Sequence, residues 1–175
     1  VSFTRVRALI LVGFLAVAAI VVVVLAVARD SQGGVVAGPG CPAGAPVASL
    51  RLPDGPPQVT VKVFNGTATQ GLGAGVSGAF ADRRFRVEKP AVSKKRFGDV
   101  AELRYGPEAV GAAQLVQAYF LGKATRAYDP GRKGAVVDVV VGAAYQRLGT
   151  FTEVNQSLGF LGEAKLPPGA CAATA

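Results

Sequence analysis

No histidine occurs anywhere in the 175 residues. That removes the one side chain whose ordinary pKa lies near neutral, and with it the commonest general base and metal ligand. Cysteine is almost as scarce. Cys41 and Cys171 are the only two, too far apart in sequence to form a metal-binding pair on their own. No serine is followed three residues later by lysine, the spacing that serine–lysine enzymes often show. Asp99 and Glu102 are close in sequence, but loop and strand positions account for them as solvated charges. The chain is therefore expected to be non-catalytic, with no cofactor and no metal.

Charge is missing from one long stretch. Residues 8–28, ALILVGFLAVAAIVVVVLAVA, carry no charged or polar side chain. These 21 residues, at about 1.5 Å each, make roughly 31 Å, the thickness of a bilayer's hydrocarbon core. A lone span in lipid must bond its own backbone, so it must be helical. A cleaved signal peptide is the competing reading, because Ala26-Val27-Ala28 fits a small-x-small cleavage site. Such a peptide normally has a shorter apolar region, about 7–15 residues, which favours an uncleaved anchor. Arg5 and Arg7 precede the stretch, whereas Arg29 and Asp30 after it cancel. The positive-inside rule then predicts a single-pass cell-membrane protein with residues 1–7 cytoplasmic, residues 8–28 transmembrane and the rest extracytoplasmic.

From residue 30 onward, 16 basic residues face 11 acidic ones. A basic surface outside the membrane suits anionic lipid headgroups or phosphate-bearing wall polymers. Nucleic acid is not expected in that compartment. Arg83, Arg84, Arg86, Lys89, Lys94, Lys95 and Arg96 form the densest cluster; it is either a binding surface or a soluble edge that discourages strand pairing. An oxidising compartment also permits a Cys41–Cys171 disulfide, the alternative being two free thiols.

Residues 29–57 are rich in glycine and proline and read as a linker or irregular wrap, which a disulfide would tie onto the domain. The folded region, 58–175, opens with a strand in which Val59, Val61 and Val63 alternate with Thr60 and Lys62. Leu72, Val76, Ala79 and Phe80 then lie on one face of a helix. A short strand follows at 85–88, a polar excursion opened by Pro90 at 89–99, and a clean alternation at 100–105. Pro107 starts a second helix that runs to about Leu121, with Gly122 placed to cap it. Val136–Val141 reads as a central strand, and Thr150 to Glu153 has capping-box spacing before a last helix. The fold class is α+β: a two-layer sandwich with a β-α-β-β-α-β core in a ferredoxin-like arrangement, plus a C-terminal helix.

The turn containing Asn65, Gly66, Thr67 and Gly71 leads from a strand into a helix N-terminus. Free amides and the helix dipole there favour an anion; a plain tight turn with close helix–sheet packing is the simpler reading.

These residues carry a resemblance. Val61-Lys62-Val63-Phe64-Asn65-Gly66-Thr67, Gly71-Leu72, Arg84-Phe85-Arg86-Val87, Arg104-Tyr105-Gly106, the Ala112-Ala113 helix and Val137 to Gly142 are similar, in that order, to the LytR C-terminal domain of actinobacterial envelope proteins. Two positions depart from it: Gly73 stands where the family usually has Ala, and Arg84 where it usually has Gly. The resemblance implies a role in cell-envelope integrity outside the membrane and does not imply catalysis. Expected partners are the membrane and peptidoglycan or another wall polymer, an anionic lipid or envelope proteins. Candidate ligand contacts are Asn65, Gly66, Thr67, Gly71, Arg84, Lys94, Lys95 and Arg96. The rival expectation is an enzyme or carrier for a lipid or wall precursor, with a pocket between sheet and helices.

Overall fold

The structure, a computed structural model, describes Cys41 and residues 44–172, together with Gly13, Ala16, Val17 and residues 19–21. The expected membrane span lies outside the described residues, apart from those last few, which are helical. No described helix is long and apolar enough to cross a membrane. The chain forms two compact units, residues 1–40 and 41–175, and only the second is described in detail.

Seven strands and three α-helices follow one another in this unit. They are β1 (Val47–Ala48), β2 (Thr60–Asn65), α1 (Leu72–Ala81), β3 (Arg86–Val92), β4 (Ala101–Tyr105), α2 (Val110–Tyr119), β5 (Thr125–Tyr128), β6 (Val136–Val141), α3 (Phe151–Leu161) and β7 (Cys171–Ala172). Five of them make a mixed sheet in the order β3-β2-β6-β4-β5. β2 pairs in parallel with β3 and β6, and β4 pairs in parallel with β5 and antiparallel to β6.

The sheet is α+β as expected, but it is not ferredoxin-like. A split βαβ unit would leave another strand between the two that a crossover joins. Here α1 returns the chain directly beside β2, and α2 returns it directly beside β4. The difference comes from β5, a four-residue edge strand, TRAY, too short and polar to announce itself in sequence. β3 also continues through Pro90 to Val92, beyond the expected end at residue 88. Proline is tolerated there because β3 is an edge strand.

Phe80 of α1 lies 6.0 Å from Phe120 at the end of α2, so both crossover helices cover one face, as the right-handed rule requires of crossovers from oppositely directed strands. Val61, Val63, Leu103, Val137 and Val139 point to that face and are fully buried under Phe80 and Phe120. Phe80 stacks edge-on with Phe85 at 5.0 Å, and Phe85 with Tyr119 at 4.9 Å. The space between sheet and helices is thus filled by side chains. α3 packs on α2, where buried Gln114 donates to the Gly162 carbonyl at 2.9 Å. Its N-terminus carries the expected capping box: Glu153 N–H donates to Thr150 Oγ1, and Thr150 N–H to the Glu153 carboxylate. Arg147 donates two bonds to the same carboxylate and holds its pKa well below the usual range.

Helix ends differ from expectation in an informative way. Leu121, at φ 55°, takes the left-handed position after α2, and Gly122, at φ 75°, comes one residue later. Arg84, at φ 68°, takes the same position after α1. Its N–H donates to Ala81 O and that of Phe85 to Phe80 O, which is a Schellman closure.

The described part of the glycine- and proline-rich stretch, residues 44–57, wraps onto the domain. Ala48 is fully buried, Ser49 N–H donates to Pro107 O, and Gly111 N–H donates to Ser49 O. A side chain at Gly111 would collide with the Arg51 carbonyl, so α2 can approach this wrap only as glycine. Cys41 is bonded to Cys171 with Cα atoms 5.9 Å apart, and β7 pairs with β1 beside the bond.

Candidate functional site

With both crossover helices on one face, the other face of the sheet is only partly covered: Arg104 is exposed, Lys62 and Phe64 are half-buried, and Val140 is buried. Alternation along the strands turns Lys62 and Phe64 of β2, Asp138 and Val140 of β6, and Glu102 and Arg104 of β4 toward it. Strand register sets these in two rows. Glu88, Lys62, Asp138 and Arg104 lie in one row across four strands, with charges alternating in sign. Ala91, Phe64 and Val140 lie in the next, which is apolar up to Glu102.

The charged row is largely compensated. Lys62 is 3.6 Å from Glu88, Arg132 holds Asp138 at 2.8 Å, and Glu102 accepts from Arg104 Nε. The Asp138 carboxylate raises the Arg132 pKa above its ordinary value by hydrogen bonding. The positive excess comes from elsewhere, the loop that follows β3.

That loop, residues 93–99, is pinned over the carboxyl end of β2. Ser93 N–H donates to Asn65 O and Phe97 N–H to Gly66 O. From the other side, Ala143 N–H donates to Phe97 O and Ala144 N–H to Gly98 O. Gly66 and Gly142 make this seat: a Cβ at Gly66 would stand 2.8 Å from Val141 O, and one at Gly142 would collide with Asp99 O. Lys94, Lys95 and Arg96 are exposed on the loop, and none is in an ion pair among the described residues. Between loop and sheet lies an open groove of about 530 Å³, lined by Phe64, Val92, Ser93, Lys94, Lys95 and Arg104.

The expected ligand contacts sort themselves on this frame. Asn65 and Gly66 join Lys94, Lys95 and Arg96 at one place, as the loop's support. The turn's own donors are used internally: Asn65 Oδ1 accepts from the N–H and hydroxyl of Thr67, Asn65 Nδ2 donates to Thr69 O, and Thr69 N–H donates to Thr67 Oγ1. Gly71, at φ 76°, begins α1 and has no part in the groove. Arg84 lies beyond the far end of β3, seven residues or roughly 20 Å away.

Sequence reasoning missed Phe64, Lys62, Val92 and Arg104. The alternation of Thr60, Lys62 and Phe64 against the valines marks a second strand face. Which of the two faces is left without helices depends on where they dock.

Comparison with known proteins follows the same segment. The family model described as LytR cell envelope-related transcriptional attenuator matches residues 58–145. This span holds the whole five-stranded sheet, both crossover helices and the basic loop. Among proteins with curated descriptions, no sequence matches the chain. The crystal structure of the soluble domain of a conserved hypothetical secreted protein from Mycobacterium marinum is similar, with 23% identity and a TM-score of 0.52 over 71% of this chain and 82% of that one. At that identity the likeness is one of fold. With the family model covering half of its length, the chain belongs to the LytR C-terminal family.

Proposed function

We propose that the protein is a membrane-anchored, extracytoplasmic, non-catalytic module that supports cell-envelope integrity by holding an anionic wall polymer on its partly covered sheet face. The observation that carries this reading is the pinned basic loop. Three cations unpaired among the described residues, two of them lining the groove, stand on a segment bonded at both ends, so little backbone entropy is lost when a polyanion binds. The location outside the membrane is supported by the apolar stretch at 8–28 with Arg5 and Arg7 before it. The envelope-related description of the family and the secreted relative point the same way.

Cosedimentation of the full chain with isolated cell wall tests it. Retention is expected at low salt and is expected to fall steeply as salt rises, because the contacts are between exposed charges. Replacing Lys94, Lys95 and Arg96 together by Gln is expected to abolish most of it. Unchanged retention in that variant would show the basic loop to be irrelevant, and retention on anionic vesicles alone would assign the loop to lipid.

A further inference from the structure

We infer that the groove is built for a chain of acidic sugars: Phe64 is a stacking platform for one ring, and cations on either side take the anionic groups of neighbouring rings. This rests on the polymer-binding reading above and names its ligand class.

The first ground is spacing. Lys94 and Lys95 stand on the loop beside β2, while Arg104 stands on β4, with β6 between. Two strand spacings make about 10 Å. A ligand with an anion on successive units can engage both ends at once. Arg104 donates Nε to Glu102, and its two terminal nitrogens make no hydrogen bond among the described residues, so they remain available to such a group.

The second ground is the floor. Between the cations the groove offers Phe64, half-buried, with Val92 at 77% exposure on the rim; Ala91 and Val140 are its neighbours in register, Val140 itself being buried. A polyphosphate or an acidic peptide backbone has nothing to set against an aromatic face. A sugar ring does: its axial C–H groups form an apolar face that packs on an aromatic ring while its hydroxyls stay in water. Lys62 Nζ, paired with Glu88 at 3.6 Å, lies over this ring at 5.7 Å from its centroid, so a bound sugar ring displaces it or packs on the ring's other face.

The third ground is shape. The half-buried ring lines one concavity with residues 92–95, of which Val92, Lys94 and Lys95 are exposed, so a flat lipid surface would meet these before Phe64.

Titration of the full chain in nanodiscs of neutral lipid with polygalacturonate, poly-L-glutamate and vesicles containing phosphatidylglycerol tests the assignment. Polygalacturonate is expected to bind best. Phe64→Leu, which keeps bulk and loses the ring, is expected to weaken that binding by about three- to tenfold and to leave poly-L-glutamate unaffected. Circular dichroism of the variant checks that the sheet is intact, and Arg104→Gln gives an independent loss without touching the floor. Equal affinity for both polymers with Phe64→Leu neutral would overturn the sugar assignment and leave polyanion binding standing. Binding to vesicles alone, or to none of the three, would overturn both.

Discussion

Arg84 illustrates how a single backbone angle decides a residue's meaning. Its φ of 68° closes α1 through the bonds of Arg84 to Ala81 and of Phe85 to Phe80, and Phe85 then packs edge-on against Phe80. A left-handed angle costs a residue with a Cβ about 1–2 kcal/mol, and glycine's extra freedom when unfolded returns part of that. Arg84→Gly is therefore expected to stabilise the domain by about 0.5–1 kcal/mol, read as a thermal midpoint a few degrees higher. Arg84→Ala removes the same charge without relieving the backbone and should give no rise. Polymer retention should be unchanged in both, since Arg84 lies at the far end of β3 from the groove. A glycine at this position, which the resemblance gives as usual for the family, would have the same physical reason.

Among the elements, the loop after β3 is the one whose conformation matters most. Its lysines are useful only if the backbone beneath them stays fixed, and that depends on the bonds to Asn65, Gly66, Ala143 and Ala144. Gly142 is the tightest point: a methyl there would meet Asp99 O, with Phe97 Cδ1 at 2.7 Å and Phe97 O at 2.9 Å. Gly142→Ala is expected to displace residues 97–99 at a cost of about 1–3 kcal/mol. Hydrogen exchange should speed up at Phe97 and Ala143, and polymer retention should fall although every cation is present. Gly98→Ala, which meets nothing within 4 Å, serves as the control and should change neither. Much of this was hidden from sequence. The alternation of β2, the capping box at Thr150 and the two crossover helices could be read directly, because each depends on local period or local hydrogen bonding. The length of β3 and the existence of β5 could not, because both are edge strands stabilised by one neighbour each.

For the whole molecule, the decisive constraint is the bond between Cys41 and Cys171, 130 residues apart. Closing so long a loop restricts the unfolded chain and stabilises the fold by about 5 kcal/mol in the chain-entropy model. Reduction is expected to lower the thermal midpoint sharply and to release the wrap around β1 and β7 before the central sheet. Intact mass after alkylation should find no labelled cysteine in the unreduced folded protein; two labelled cysteines would rule the pairing out. The sequence by itself determined the order of parts along the chain: an uncharged 21-residue stretch, a charge asymmetry around it and an α+β domain after it. Those follow from hydropathy, charge and period, which are properties of neighbours along the chain. Tertiary structure alone decided the strand order, the face left without helices, and the meeting of the Asn65–Gly66 turn with Lys94, Lys95 and Arg96 over Phe64. These depend on which side the crossovers pack and where β6 inserts, contacts between residues far apart in sequence that no local pattern records.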